Sequence, residues 1–367
     1  MKFKEVSITS DGLNVEFSNG IKDCFPFLWL RDHCKDDVNW DERSSQRKLF
    51  TALIDPNIKV SNVKIIQDND ELEVKWPDME SAVFYSSKFL FQNSFGNNHV
   101  GNSLEVWDNT KISKNTIEID YSSLNKNSGF EGLLKVIKTF GFSVINNCPK
   151  DMSSVEFIAN KIGYVRNSIF GGLWSFESNS DMADSAYTQE ELRPHTDGTY
   201  NHDAPGLQLL LCCDYDAQGG ESIMVDGLKI AEEIQKNDKA CYNFLSEVDI
   251  PGRYYGDGVE LLAKRPVFRQ NKQKEIIQVS FNNYDRADFR LPNDQISNFY
   301  SSIRTFDKIA NDKSMQWRKI LQPGQLLIFD NWRILHGRSE FSGKRRMSGC
   351  YINKEDFESA CRMYNIN

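Results

Sequence analysis

The chain has 367 residues, more than one domain usually holds, so one large domain with a smaller companion is expected. A formal charge of −8 with no basic arm argues against a nucleic-acid partner, and no apolar run is long enough to cross a bilayer. None of the eight cysteines forms a Cys-x-x-Cys pair, a pattern that fits buried thiols in a reduced, cytoplasmic protein better than a disulfide framework.

Residues 1–8 carry neither the apolar stretch of a secretory leader nor an Arg/Ser-rich transit pattern, and they read as a first strand. Short runs at 13–17, 62–66, 71–76 and 81–85, with Asp/Asn/Gly turns between them, predict a small β-rich unit over residues 1–100. Residues 101–128 are polar and Asn-rich and are expected to form a linker with some strand content. The larger unit, 129–367, opens on helical spacing over 130–140, then a strand at 141–146 and an amphipathic helix near 153–162. From Pro205 strands predominate, at 207–213, 222–226, 276–281, 325–329 and 347–352, with helices near 227–235, 294–311 and 354–364. This pattern predicts a mainly β fold with flanking helices: a double-stranded β-helix (jelly roll) preceded by the small β domain.

Two of the five histidines stand in motifs that carry chemistry. His195 and Asp197 lie in Arg193-Pro-His-Thr-Asp-Gly-Thr-Tyr200, and His336 lies in Phe329-Asp-Asn-Trp-Arg-Ile-Leu-His-Gly-Arg338. On a strand, residues i and i+2 face the same side, so His195 and Asp197 can converge on one ion. Two imidazoles and one carboxylate on one face of Fe(II) leave adjacent positions open for a co-substrate and O2. A hydrogen-bonded His-x-Asp turn is the plain alternative. Arg345, shortly after His336, is placed to pair with the distal carboxylate of a dicarboxylic co-substrate, with Ser222 as a hydroxyl donor. Lys344 and Arg346 flank it, so a solvated basic turn is the alternative there.

From about residue 130 onward the chain resembles the 2-oxoglutarate-dependent dioxygenases of carnitine biosynthesis, γ-butyrobetaine dioxygenase and trimethyllysine dioxygenase, with taurine dioxygenase more distant. The matching motifs are Ala186-Tyr-Thr, His195-Thr-Asp, Pro205-Gly-Leu-Gln-Leu, Gly219-Gly-Glu-Ser, Val225-Asp-Gly, Phe281-Asn-Asn, Phe329-Asp-Asn-Trp-Arg, Leu335-His-Gly-Arg and Gly349-Cys-Tyr. Trp29-Leu-Arg-Asp-His-Cys34 extends the likeness to the N-terminal unit. The resemblance implies Fe(II) on His195, Asp197 and His336, and 2-oxoglutarate anchored by Arg345 and Ser222. It further implies oxidative decarboxylation to succinate and CO2 coupled to hydroxylation of an unactivated C–H bond. It also implies a homodimer acting on a small molecule, with no nucleic-acid or membrane partner. In this family the small domain carries a structural zinc held by cysteines and a histidine. Here Cys34 is followed by Lys35-Asp-Asp-Val-Asn-Trp40, and Cys24 with His33 cannot complete a four-ligand set, so no structural zinc is expected.

The family holds a trimethylammonium group in an aromatic cage, stabilised by cation–π attraction. The corresponding residues here are Phe170, where tyrosine is usual, Trp174, Tyr187 and Tyr351. Three positions before the cage tyrosine, γ-butyrobetaine enzymes carry Asn and trimethyllysine enzymes Asp; this chain has Asp184. A carboxylate suits the α-ammonium of trimethyllysine, and Asn283 is the expected polar contact to the same end. Asp184 as a turn cap, or paired with Arg193, is the structural alternative. Hydroxylation of Nε-trimethyllysine at C3 is therefore the first expectation. γ-Butyrobetaine follows, then another betaine or a phosphonate. A non-catalytic sensor binding 2-oxoglutarate or a betaine, and a cupin-like zinc or manganese isomerase or hydrolase, are the readings from other classes. An intact triad with Arg345 weighs against both.

Overall fold

The protein is described here from a computed structural model covering residues 1–66, 68–96, 104–177 and 189–366. It divides into two units, Met1–Gly101 and Asn102–Asn367. In the first, period-two alternation sets the layout: along Gly12–Phe17 the side chains of Leu13, Val15 and Phe17 are buried while Asn14 is exposed. That strand lies between Phe3–Ile8 and Lys22–Pro26, and a second antiparallel meander is formed by Asn62–Ile66, Glu71–Lys75 and Val83–Ser86. One apolar cluster joins Leu13, Phe17, Leu30, Leu72, Val74 and Trp76. Cys34 is buried with its thiol 2.9 Å from the Tyr85 hydroxyl, whereas Cys24 is exposed. His33 Nε2 lies 3.1 Å from the Arg47 guanidinium, which also donates to Asp32.

The second unit is a jelly roll of two facing antiparallel layers. The larger sheet runs in the order Val165–Arg166, Phe341–Ile352, Leu207–Gly219, Leu326–Asp330, Phe142–Asn146, Glu118–Asp120, with Leu173–Glu177 also paired to Phe341–Ile352 and one parallel pairing at its Glu118–Asp120 edge. The smaller sheet runs Leu192–His195, Ile334–Arg338, Ser222–Asp226, Gln316–Lys319. Alternation along the strands separates their faces. Leu207, Leu209 and Leu211 pack outward against helices Asn127–Phe140, Met152–Ile162 and Lys354–Met363. Ile223 and Val225 pack outward on the other side, against Gly227–Asn237, Lys239–Glu247 and Asn293–Ala310. Cys212, Met224, Leu327, Phe329 and Met347 face inward and form the barrel core.

Helix Asn127–Phe140 buries Phe130, Leu133, Leu134 and Ile137, the i, i+3, i+4, i+7 stripe read from the sequence. Several elements differ from expectation. The strand read as 207–213 runs on to Gly219, because Phe341–Ile352 pairs along it as far as Phe341. Helix Lys239–Glu247 and the hairpin Ile250–Gly256/Val259–Arg265 were not anticipated. Residues 104–128, read as part of a linker, pack within the second unit: Trp107 is buried, its backbone N–H donates to Asp226 and its indole N–H to the Phe140 carbonyl. Among the described residues no helix is long and apolar enough to cross a membrane.

Asp226 ties these parts together. It is fully buried and takes a bidentate pair of bonds from Arg333 at 3.1 and 2.7 Å. It also accepts from the N–H groups of Trp107 and Leu228, capping helix Gly227–Asn237. Arg333 also donates to the carbonyls of Glu105 and Thr139. Replacing Asp226 with Ala strands a buried guanidinium, so we expect a loss of about 3–5 kcal/mol in urea unfolding followed by tryptophan fluorescence. A loss under about 1 kcal/mol would show that the cluster is not a structural centre.

Candidate metal centre

The site is built on one pairing in the smaller sheet, where His195, at the end of Leu192–His195, stands directly opposite His336 in Ile334–Arg338. Residues opposed in this way share a face, so both imidazoles enter the barrel, with ring centroids 4.3 Å apart. Asp197 lies two residues past His195, beyond the last ladder bond. Its main chain is fixed instead by Asn331, whose side chain accepts from the Asp197 N–H at 2.8 Å and donates to the Asp197 and Pro205 carbonyls. The intervening Thr196 exchanges bonds with the backbone of Phe281. Gly198, at φ +70°, then turns the chain where a Cβ would fall 2.5 Å from Pro205 Cδ.

One ligand atom from each of His195, Asp197 and His336 falls within 4.8 Å of the others. His195 Nε2 is 3.4 Å from Asp197 Oδ1, and His336 Nε2 is 3.6 Å from Oδ2. His195 Nδ1 lies 2.8 Å from the Arg193 carbonyl. A carbonyl only accepts, so Nδ1 carries the proton and Nε2 presents its lone pair to the centre. The Tyr351 hydroxyl donates to Asp197 Oδ2 at 2.7 Å. Burial opposes charge on His195, but the adjacent Asp197 outweighs it and raises the pKa. Burial pushes His336 down to about 3. Burial alone would favour the neutral acid at Asp197; the two imidazoles and the Tyr351 hydroxyl reverse this and hold the carboxyl well below its usual range. An anionic oxygen beside a neutral imidazole is a donor set suited to a divalent cation.

Strand alternation separates Arg345 from its neighbours. Lys344 is exposed and Arg346 pairs with Asp214, while Arg345 turns inward over the Phe341 ring at 5.2 Å. Its Nη1 is buried with no hydrogen-bond partner among the described residues, an unmet donor suited to a ligand carboxylate. Ser222 is buried on the adjacent sheet, opposite Arg338. A cavity of about 220 Å³ opens at Asp197 and is lined also by Phe170, Tyr200, Asn201, Leu261 and Tyr351. Trp174 packs beside this wall, 5.8 Å from the Tyr351 ring, over Gly349, where a Cβ would lie 2.4 Å from the indole. Asn283 is exposed and borders a separate recess of about 20 Å³ with Asn282 and Arg286, so it is not brought to the wall that holds Phe170 and Tyr351. Asp184 and Tyr187 lie outside the described residues.

Sequence reasoning did not assign Asn331, although it stands in a quoted motif, because its work is on the main chain. It also passed over Leu261, which reaches the cavity from the unanticipated hairpin.

The family model for the taurine catabolism dioxygenase TauD, TfdA family matches residues 106–351. That for the gamma-butyrobetaine hydroxylase-like N-terminal region matches residues 5–91. Trimethyllysine dioxygenase of Meyerozyma guilliermondii is 30% identical, the alignment covering 100% of this chain and 96% of that protein. The human mitochondrial trimethyllysine dioxygenase is 30% identical over 97% of this chain and 86% of its own. Gamma-butyrobetaine dioxygenase of Pseudomonas sp. is 28% identical over 95% and 93%. Among solved structures, a putative alpha-ketoglutarate-dependent taurine dioxygenase from Burkholderia xenovorans shares the fold, with a TM-score of 0.50 and 11% identity over 65% of this chain and 87% of that one.

Replacing Asp197 with Ala removes one of three donors. Titration of the metal-free protein with Mn(II) is expected to show one strong site in the wild type and none in the variant. Undiminished binding by the variant would place the metal elsewhere.

Proposed function

Since this chain belongs to the TauD, TfdA dioxygenase family, we propose that it hydroxylates Nε-trimethyllysine at C3, using Fe(II), 2-oxoglutarate and O2. The observation that carries the reading is the convergence of His195, Asp197 and His336 beside a cavity that Asp197 lines together with the rings of Phe170, Tyr200 and Tyr351. These three residues would hold the iron. When bound, the iron supplies oxidative decarboxylation of 2-oxoglutarate and hydroxylation of an unactivated carbon.

The remaining work falls to the protein. Arg345, with Ser222, anchors the distal carboxylate of 2-oxoglutarate; the buried, unmet Nη1 supports this role. Phe341 stacks on that guanidinium and keeps water from it. Phe170 and Tyr351 line the cavity, and Trp174 packs beside Tyr351, an aromatic wall that suits a trimethylammonium group. Tyr187 completes the cage by motif. Binding the cation at a fixed distance from the metal selects which carbon faces it, so the cage governs regiochemistry as well as affinity.

The choice between trimethyllysine and γ-butyrobetaine rests on Asp184, whose carboxylate complements the α-ammonium that only trimethyllysine carries. Asn283 keeps a place at that end by motif. Succinate formation by the wild-type protein should be faster with trimethyllysine than with γ-butyrobetaine, and D184N should shift the ratio toward γ-butyrobetaine by about tenfold or more, as for loss of a charge-assisted bond. A wild-type preference for γ-butyrobetaine, or a ratio untouched by D184N, would refute the assignment.

A further inference from the structure

We propose that Tyr351 is a positioning residue for Asp197: its hydroxyl holds one carboxylate oxygen so that the other is presented to the metal. This rests on the metal reading above and goes beyond the cage role given to the ring. A cage needs only a π face, and Phe170, which lines the same cavity, has no hydroxyl at all. The Tyr351 hydroxyl is therefore surplus to cation binding, yet it is spent on the carboxylate at 2.7 Å.

Asp197 needs such a partner. Asn331 and Thr196 fix the backbone on either side of it, but they leave its side-chain torsions free. The two oxygens face different imidazoles, Oδ1 toward His195 and Oδ2 toward His336, at similar distances. Nothing in that near-symmetry selects one oxygen as the ligand. The phenol breaks it by donating to Oδ2 alone. Committing Oδ2 to the phenol favours attachment through Oδ1 and opposes chelation by both oxygens, which would consume a position needed by the co-substrate.

The phenol is itself rigidly placed. Tyr351 is buried on strand Phe341–Ile352, paired to Gln208 on one side and Arg166 on the other, with Trp174 against its ring. The same side chain thus touches the cavity and the metal ligand, which makes the cavity wall and the coordination shell one packed unit.

The test is a titration of the metal-free, full-length chain with Mn(II), free ion being read by electron paramagnetic resonance. Three proteins are compared: wild type, Y351F and F170L. Y351F keeps the ring and removes only the hydroxyl, and should bind Mn(II) about tenfold more weakly or worse, the usual cost of losing an outer-shell donor. F170L alters the same cavity wall without touching the carboxylate and should match wild type. Each protein's Mn(II)-bound Tm is also compared with its own metal-free Tm, so a lowered baseline in a variant does not mask the result; the metal-induced rise should be smaller in Y351F. An affinity and a Tm rise in Y351F equal to wild type would overturn the tether and leave the metal reading standing. A wild-type chain that takes up no Mn(II) would overturn both.

Discussion

His195 and His336 face one another across adjacent antiparallel strands, and a slip of one residue would turn either imidazole out of the barrel. The register is protected by what lies behind it. Ile223 and Val225 of the neighbouring strand, together with Leu335, are packed into the outer helical layer, so shifting the strand by one residue would turn His336 into that apolar layer. Asp197 lies where the ladder has ended, and the sheet cannot hold it. Its placement falls to side chains from distant segments: Asn331 on the main chain and Tyr351 on the carboxylate.

The barrel interior keeps polar atoms that the protein does not satisfy. Arg345 Nη1, Gln208 Oε1, Trp174 Nε1 and His336 Nδ1 are buried without hydrogen-bond partners among the described residues. Such atoms oppose folding unless a ligand or ordered water meets them. They gather round the barrel interior: Gln208 stands opposite both Phe329 and Tyr351, whose side chains reach His336 and Asp197 respectively. An interior built only for stability would fill these positions with apolar residues, as it does at Met224, Leu327 and Met347.

Much of this was legible in the sequence, for identifiable reasons. The metal triad could be read because histidine is scarce in this chain and i, i+2 spacing on a strand has one geometric meaning. Strand Ser222–Asp226 and helix Asn127–Phe140 carry strong local patterns, and they form close to where those patterns lie. What escaped depends on partners far away in the chain. Trp107 sits in an Asn-rich stretch that looks like a linker, yet Asp226, far along the chain, supplies its hydrogen bond. The outer half of Leu207–Gly219 is polar and gives no burial signal, and it is a strand because Phe341–Ile352 lies alongside it. Asn283, expected by motif at the amino-acid end of the substrate, borders a recess apart from the wall that holds Phe170 and Tyr351. The hydroxyl of Tyr351 gives no signal in sequence, since tyrosine serves equally as a ring or as a donor.

The proposed chemistry requires one ion gripped by the three converging side chains with a co-substrate carboxylate on Arg345. The most direct measurement is the anomalous diffraction of a crystal grown with Mn(II), an inert 2-oxoglutarate analogue and trimethyllysine. The expected result is a single anomalous peak bonded to Nε2 of His195, Nε2 of His336 and one oxygen of Asp197, with the analogue running from the ion to Arg345. A peak away from these three residues, or an analogue whose distal carboxylate lies far from Arg345, would contradict it.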